Sequence, residues 1–222
     1  MYHNDYAAAE HALAYLADAN RIPHRTEGEC VALSFIPSGS RSVLDLGTGD
    51  GRLLSLVLAH CADATGLGVD SSETMLEAAR HRFQGDDRVA IPRHDLNDSL
   101  LQLGRFDVVV SSFAIHHCAD TRKRAIYDEV FRLLEPGGVF LNLEHVSSAT
   151  PALHQRFLDE LGITPEQEDA GNILLDTQSQ LRWLREIGFV DVDSYWKWLE
   201  LSLFGGIRVA ETEVQIGPTN QR

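Results

Sequence analysis

The chain has few cysteines, no long hydrophobic run and a shortage of basic side chains. Its three cysteines, Cys30, Cys61 and Cys118, form no CxxC pair, and an odd count excludes a framework in which every cysteine is in a disulfide. No apolar run reaches the roughly 18 residues that a membrane-spanning helix needs, and the first residues do not resemble a signal peptide. We therefore expect reduced thiols, a cytoplasmic location and no membrane partner.

The charge balance also restricts the partners. The 222 residues include 19 Lys and Arg against 33 Asp and Glu, for a formal net charge of −14. An acidic surface repels nucleic-acid phosphates and anionic lipids, so a nucleic-acid partner is disfavoured and a small-molecule substrate is expected. The length suits a single domain.

Strand-like and helix-like segments alternate from residue 42. The sequence predicts strands at 42–46, 65–69, 88–91, 106–110 and 138–143, with helices at 52–61, 73–83 and 122–134. Apolar runs as continuous as residues 108–110 suit a parallel sheet that is covered on both faces. This alternation predicts an α/β fold with a doubly wound, Rossmann-like and mostly parallel sheet.

The flanking segments add helices and a hairpin. One helix is predicted at 6–19, and a second opens with a capping box between Thr26 and Glu29 and runs to Phe35. Later segments predict helices at 151–162 and 177–187, then an antiparallel hairpin from 189–198 and 200–204. We expect one domain over residues 1–208, with a helical cover (1–40), a core (41–145), substrate-side elements (146–208) and a polar tail (209–222).

Three alternating glycines mark a binding loop between the first predicted strand and the next helix. Gly47, Gly49 and Gly51 allow tight turns and close approach of a ligand to the backbone. Neither register fits the dinucleotide pattern GxGxxG, because Arg52 and Leu54 occupy the places of its last glycine. A GxxxxGK[ST] phosphate loop is also missing from the sequence.

Acidic residues accompany this loop. Asp70 ends the second predicted strand, 19 residues after Gly51, where an acid accepts hydrogen bonds from ribose hydroxyls. Asp45 and Asp50 would repel a pyrophosphate but suit a cationic ligand. The glycine loop, the acid at the strand end and the βαβ context together predict a site for a ligand that contains a ribose.

Three segments resemble class I S-adenosylmethionine-dependent methyltransferases. DLGTGDG at residues 45–51 resembles their motif I, HDL at 94–96 resembles the segment that meets the adenine, and LEPGG at 134–138 resembles the turn before their fifth strand. The resemblance covers residues 40–145 closely and is not specific to a substrate. It implies transfer of a methyl group from S-adenosylmethionine, giving S-adenosylhomocysteine, to an oxygen, nitrogen or sulfur atom of a small molecule.

The resemblance also implies a set of cofactor contacts. It places Asp45 near the cofactor's ammonium, Asp70 at the ribose and Asp95 at the adenine amino group. Arg25 is expected either to pair with the cofactor's carboxylate or to be a surface arginine, and Met75 either to border the adenine or to pack in the core. The complete set is Arg25, Asp45, Gly47, Thr48, Gly49, Asp70, Ser71, Met75, Asp95, Leu96 and Ser111.

The acceptor side is predicted from the loops after the fourth and fifth strands. His116 and His117 are candidate catalytic bases if the pKa of one lies near neutrality, although such a residue often only packs or bonds to the backbone. Glu144, His145 and Trp196 are candidate substrate contacts, with packing of Trp196 under a helix as the alternative. Strand alternation puts Glu144 and His145 on opposite faces, so no metal site is predicted.

Two other functions remain open at this point. A tRNA- or RNA-modifying enzyme would use the same cofactor, and a regulator would bind the cofactor without catalysis. Salt-dependent binding of RNA would favour the first alternative. A monomer or a homodimer is expected.

Overall fold

The structure, a computed structural model, describes residues 22–209. The helix predicted at 6–19 and nearly all of the predicted tail therefore lie outside the described residues. No helix in this described range is both long enough and apolar enough to cross a membrane.

Seven strands form one mixed sheet in the order β3-β2-β1-β4-β5-β7-β6. β1 to β5 are parallel, and β7 runs antiparallel to both β5 and β6. The predicted doubly wound α/β fold with a closing hairpin is therefore confirmed. The strands are β1 (Ser42–Leu46), β2 (Thr65–Val69), β3 (Val89–Ala90), β4 (Phe106–Ser112), β5 (Leu134–His145), β6 (Val190–Trp198) and β7 (Leu201–Ile207).

Helices cover both faces of the sheet. They are α1 (Arg25–Phe35), α2 (Arg52–His60), α3 (Glu73–Arg82), α4 (Asp120–Leu133), α5 (Pro151–Leu161) and α6 (Thr177–Ile187), with 3₁₀ turns at Ile115–His117 and Pro165–Gln167. Val108 and Val110 pack in the cluster that includes α1 and α2, whereas Val109 packs in the cluster that includes α4 and α6. This split follows from the two-residue period of a strand and explains the continuous apolar run.

Parallel register brings the binding segments to one edge of the sheet. Leu46, the last residue of β1, pairs with Val69 of β2 and Ser111 of β4. The glycine loop, Asp70 and the turn after β4 consequently emerge side by side. This carboxyl edge is where α/β sheets usually bind ligands.

The predicted capping box at the start of α1 is wrong. The helix begins at Arg25, and the preceding residue, His24, has a left-handed φ of 60° and makes no side-chain cap. Thr26 therefore lies inside the first turn. Glu29 is 1% exposed and accepts hydrogen bonds from Arg25 and Arg52. The buried Arg25 and the part-exposed Arg52 hold this carboxylate inside the protein, so it does not cap the helix.

Because β7 lies close to β5, we predict that Gly205 does not tolerate a side chain. An ideal Cβ on Gly205 would lie 1.9 Å from the carbonyl oxygen of Phe140. Gly205→Ala should therefore lower the free energy of unfolding by at least about 1–3 kcal/mol, measured by urea denaturation. Gly39→Ala is the control, because its Cβ would meet no atom within 4 Å. Equal stability of the two variants would contradict so close an approach of the two strands.

Candidate functional site

A cavity of about 510 Å³ lies at the carboxyl edge of β1, β2 and β4. Its wall comes from the glycine loop, the turn after β2, the turn after β4 and a later segment at residues 169–173. The structure brings most of the predicted site residues to this wall: Arg25, Asp45, Gly47, Thr48, Gly49, Asp70, Ser71, Met75, Asp95, Leu96 and His117.

The three glycines of the loop have different constraints. All have left-handed φ angles: 66° at Gly47, 55° at Gly49 and 79° at Gly51. A Cβ on Gly47 would lie 2.1 Å from the Cβ of Ala114, and one on Gly51 would lie 2.5 Å from the ring of Phe83. A Cβ on Gly49 would meet nothing within 4 Å. Packing therefore requires the outer two glycines, whereas the middle one leaves space at the cavity wall.

Asp45 presents a buried carboxylate to the cavity. The residue is 1% exposed, and its Oδ2 accepts a hydrogen bond from the Thr48 hydroxyl at 2.7 Å. Its Oδ1 is buried and has no hydrogen-bond partner. Burial raises the pKa of Asp45 to about 7. A buried acceptor of this kind needs a donor, and the cavity is where that donor would lie.

Asp70 and Asp95 are held in fixed orientations by backbone donors. Asp70 accepts from the backbone N–H of Gly49 at 3.0 Å and of Ser72 at 2.9 Å. Burial raises the pKa of Asp70. Asp95 accepts from the backbone and side-chain nitrogens of Asn97 at 2.9 and 3.0 Å. Each carboxylate oxygen has two acceptor sites, so both side chains retain capacity for a ligand.

Core packing and ligand contact are compatible at Met75. This side chain is 2% exposed and still lines the cavity.

Arg25 lies on the wall and is held there by an ion pair. The residue is 7% exposed, so the alternative of a surface arginine is wrong. Its Nε donates to Oε1 of Glu29 at 2.9 Å, and its guanidinium carbon lies 5.4 Å from the ring centre of Phe113. Glu29 also accepts from Arg52, the first residue of α2, at 2.8 Å. This shared carboxylate connects α1 to the helix that follows the glycine loop.

The two adjacent histidines occupy different environments. His116 is 5% exposed, does not line the cavity and bonds through Nδ1 to Oε1 of Glu144 at 2.5 Å. His117 lines the cavity, and its Nδ1 lies 3.2 Å from the carbonyl oxygen of Gly171. Because a carbonyl only accepts, this contact assigns the proton of the neutral ring to Nδ1 and makes Nε2 the acceptor.

The sequence analysis required a near-neutral pKa for a histidine base, and neither ring meets this requirement. Burial lowers the pKa of His116 well below 6.5 and lowers the pKa of His117 to about 3. Both rings are therefore neutral at pH 7. His116 is also excluded as a ligand contact, because it does not line the cavity.

Ser111 also lies behind the wall. It is fully buried, and its hydroxyl donates to the carbonyl oxygen of Leu46 at 2.8 Å. The next residue, Ser112, lines the cavity in its place. Successive side chains of a strand point to opposite faces, so the predicted contact at Ser111 was misplaced by one residue.

The three predicted substrate contacts also lie off the wall. Glu144 is 1% exposed and accepts from the backbone N–H of His145 as well as from His116. The side chain of His145 bonds through Nε2 to Oε2 of Glu200 at 3.0 Å. Trp196 packs under α1, as the packing alternative expected: its ring would lie 3.1 Å from a Cβ on Gly28. In this structure the three side chains serve packing and hydrogen bonding within the fold.

Residues 169–173 complete the wall, and sequence reasoning missed them. Ile173 donates its backbone N–H to the carbonyl oxygen of His116 at 3.0 Å. Lys123 is 2% exposed and donates to the Ile173 carbonyl and to Asp120. The sequence showed only an acidic loop here, without a motif that would place it at the sheet edge. Leu53, Asn97 and Ala119 also line the cavity without having been predicted, whereas Ser112, Phe113, Ala114 and Cys118 belong to the segment at the end of β4 that was expected there.

Known proteins of similar sequence share this region. A family model described as "Methyltransferase domain" matches residues 43–138. An uncharacterized methyltransferase of Schizosaccharomyces pombe is 30% identical over 184 residues, which cover 79% of this chain and 68% of that protein. The demethylmenaquinone methyltransferase of Clavibacter sepedonicus is 27% identical over 172 residues, which cover 71% of this chain and 69% of that protein.

A solved structure shows the same fold. The O-methyltransferase family protein from Burkholderia thailandensis aligns with a TM-score of 0.71 at 24% identity. The alignment covers 96% of this chain but 65% of that protein, slightly under two thirds of its length.

The shared carboxylate of Glu29 predicts a large stability effect. Glu29→Ala removes the buried carboxylate that accepts from both Arg25 and Arg52, so the free energy of unfolding should fall by about 3–5 kcal/mol in urea denaturation at pH 7. Glu27→Ala is the control on the same helix, because the Glu27 side chain is 62% exposed and its loss should change stability by less than about 1 kcal/mol. Equal losses would show that Glu29 does not hold α1 in place.

Proposed function

Because the chain belongs to the class I S-adenosylmethionine-dependent methyltransferase superfamily, we propose that it transfers the cofactor's methyl group to a small-molecule acceptor in the cavity at the carboxyl edge. The observation that carries this proposal is the buried, unpartnered Oδ1 of Asp45 in a cavity wall that also has open space at Gly49. The cofactor would supply the missing donor and occupy that space.

The donor set fits S-adenosylmethionine. Its α-ammonium would donate to Oδ1 of Asp45, and its carboxylate would face the guanidinium of Arg25. Its ribose hydroxyls would donate to Asp70, and its adenine amino group to Asp95. The acidic wall suits a ligand with two positive centres and no phosphate.

The protein contributes mainly binding and alignment. When bound, S-adenosylmethionine would supply an electrophilic methyl group for a nucleophilic atom of the acceptor, with the sulfonium sulfur as the leaving group and water taking up any proton that the acceptor loses. Asp45 and Arg25 would fix the methionine end, and alignment of this kind contributes up to about 7–11 kcal/mol. With its pKa lowered to about 3, His117 is a weak base. We assign it instead the role of accepting, at Nε2, a hydrogen bond from the acceptor.

A small-molecule acceptor is favoured over RNA. The net charge of −14 opposes association with a polyanion, and the Clavibacter relative is named for a demethylmenaquinone. The acceptor can be sought with methyl-labelled S-adenosylmethionine in a fractionated cell extract. Label in the small-molecule fraction is expected. Label in RNA would support the alternative substrate, and cofactor binding without any transfer would support a regulator.

If the cofactor lies against the glycine loop, a side chain at Gly49 should weaken cofactor binding selectively. Gly49→Ala places a methyl group where the cofactor would lie, so calorimetry should show S-adenosylhomocysteine binding at least about tenfold more weakly. Gly85→Ala is the matched control: it has a left-handed φ of 86° and open space around its Cβ, but it lies outside the cavity wall. Both variants should lose similar stability. Equal affinities for the ligand would mean that this loop is only a turn.

The raised pKa of Asp45 predicts pH-dependent binding. The carboxylate attracts the ammonium of S-adenosylmethionine, whereas the protonated acid does not. Since the pKa of Asp45 is about 7, affinity should increase roughly tenfold between pH 5.5 and 7.5. Asp45→Asn should bind more weakly and lose most of this dependence. An unchanged pH profile in the folded variant would contradict the placement of the ammonium.

A further inference from the structure

The end of β4 holds a hydroxyl that the fold leaves without a partner. Ser112, the last residue of β4, is 8% exposed and lines the cavity. Its Oγ is buried and has no hydrogen-bond partner among the described residues. Most buried polar side-chain atoms in folded proteins are paired, because an unpaired one costs stability. The Ser112 hydroxyl therefore points to a partner that a ligand in the cavity would supply.

The register of the sheet places Ser112 on the same face as Asp45. Asp45 pairs with Val110 across β1 and β4, and Ser112 follows Val110 by two residues, the spacing at which side chains of one strand share a face. Ser112 also pairs with Leu143 of β5. Val110 and Leu143 both pack in the cluster that includes α1 and α2. The side chain of Ser112 therefore lies on the face of the sheet that α1 covers.

Helix α1 brings Arg25 to this part of the wall. A Cβ on Gly28 would lie 2.8 Å from the side chain of Leu143, so α1 packs directly on the strand beside β4. Arg25 lies about one helical turn earlier on α1. Its guanidinium carbon lies 5.4 Å from the ring centre of Phe113, the residue that follows Ser112. Arg25 and Ser112 therefore border the same corner of the cavity, where the methionine end of the cofactor is proposed to bind.

The chemistry of the cofactor identifies the group that needs a hydroxyl. Its ammonium, ribose hydroxyls and adenine amino group all donate hydrogen bonds, and the side chains proposed for them, Asp45, Asp70 and Asp95, accept. Its carboxylate only accepts, so this group needs donors. An ionised aspartate has no proton to donate, whereas a serine hydroxyl does. Ser112 therefore supplies a second donor for the carboxylate at the corner that already holds Arg25.

We propose that the Ser112 hydroxyl donates a hydrogen bond to the carboxylate of the bound cofactor and makes the site selective for ligands that carry this carboxylate. The proposal rests on the proposed function. A hydrogen bond to an ionised acceptor is shorter and stronger than one between neutral groups. Removal of the hydroxyl would leave part of the carboxylate unpaired in a cavity from which the ligand displaces water, so binding should weaken.

Two ligands separate this contact from the other cofactor contacts. S-adenosylmethionine and decarboxylated S-adenosylmethionine share the sulfonium, the ammonium and the adenosine, and they differ in the carboxylate. Calorimetry at pH 7.5 should show that Ser112→Ala binds S-adenosylmethionine about tenfold more weakly than the wild-type protein does. The same variant should bind the decarboxylated ligand with wild-type affinity. The preference of the wild-type protein for S-adenosylmethionine should therefore fall about tenfold in Ser112→Ala.

Ser72→Ala is the matched control. Ser72 is 1% exposed, and its Oγ likewise has no hydrogen-bond partner among the described residues, but Ser72 does not line the cavity. The substitution keeps the backbone N–H of Ser72, from which Asp70 accepts a hydrogen bond. Ser72→Ala should therefore leave the affinities for both ligands unchanged. Neither serine variant should be less stable than the wild-type protein in urea denaturation without ligand, because neither loses a hydrogen bond within the described structure.

Each outcome has a distinct meaning. Unchanged binding of S-adenosylmethionine to Ser112→Ala would overturn the contact and leave the proposed function intact. Equal weakening of both ligands in this variant would overturn the assignment of the hydroxyl to the carboxylate. Failure of S-adenosylmethionine to bind the wild-type protein would overturn the proposed function itself.

Discussion

Each carboxylate buried near the carboxyl edge of the sheet needs a donor, because an unpaired buried charge is strongly destabilising. The structure meets this requirement with donors from other elements. Glu29 accepts hydrogen bonds from two arginines, Asp70 accepts them from backbone N–H groups, and Glu144 accepts one from His116. These contacts hold α1, the glycine loop and the turn after β4 in one arrangement. Asp45 departs from this arrangement, since its buried Oδ1 lacks a partner, and we place the proposed ligand there.

The parallel sheet brings these carboxylates to one edge. β1, β2 and β4 end in register, so segments more than 60 residues apart along the chain share one cavity. At that edge Gly47 must lack a side chain to admit Ala114, whereas a Cβ on Gly49 would meet no atom within 4 Å, which leaves room for the proposed ligand. One short loop thus satisfies a packing constraint and a binding constraint with the same residue type at different positions.

Local patterns were sufficient to predict the fold and the cofactor side of the cavity. Strand and helix periodicity predicted the order of elements in the core, and motif resemblance placed Asp45, Gly49 and Asp70 on the wall. The errors arose where tertiary partners decide. Glu29 left its predicted capping role because two arginines bind it, and Ser111 was displaced by Ser112 because sequence does not show which face of a strand borders a cavity. The charge of a histidine likewise depends on burial, which lowered the pKa of His117 far below its usual value.

The acceptor side was less predictable for a physical reason. The proposed cofactor contacts between Asp45 and Met75 come from one continuous stretch of the chain, so a sequence motif can reveal them. The proposed acceptor wall instead includes residues 169–173, which are held at the cavity by a backbone bond from Ile173 to His116 and a bond from the buried Lys123 to Ile173. Backbone contacts place few demands on residue type, so such a segment carries no motif. Its side chains are correspondingly free to set the charge and shape of the acceptor site, and a segment of this kind is where members of one superfamily with a common cofactor loop would diverge in substrate.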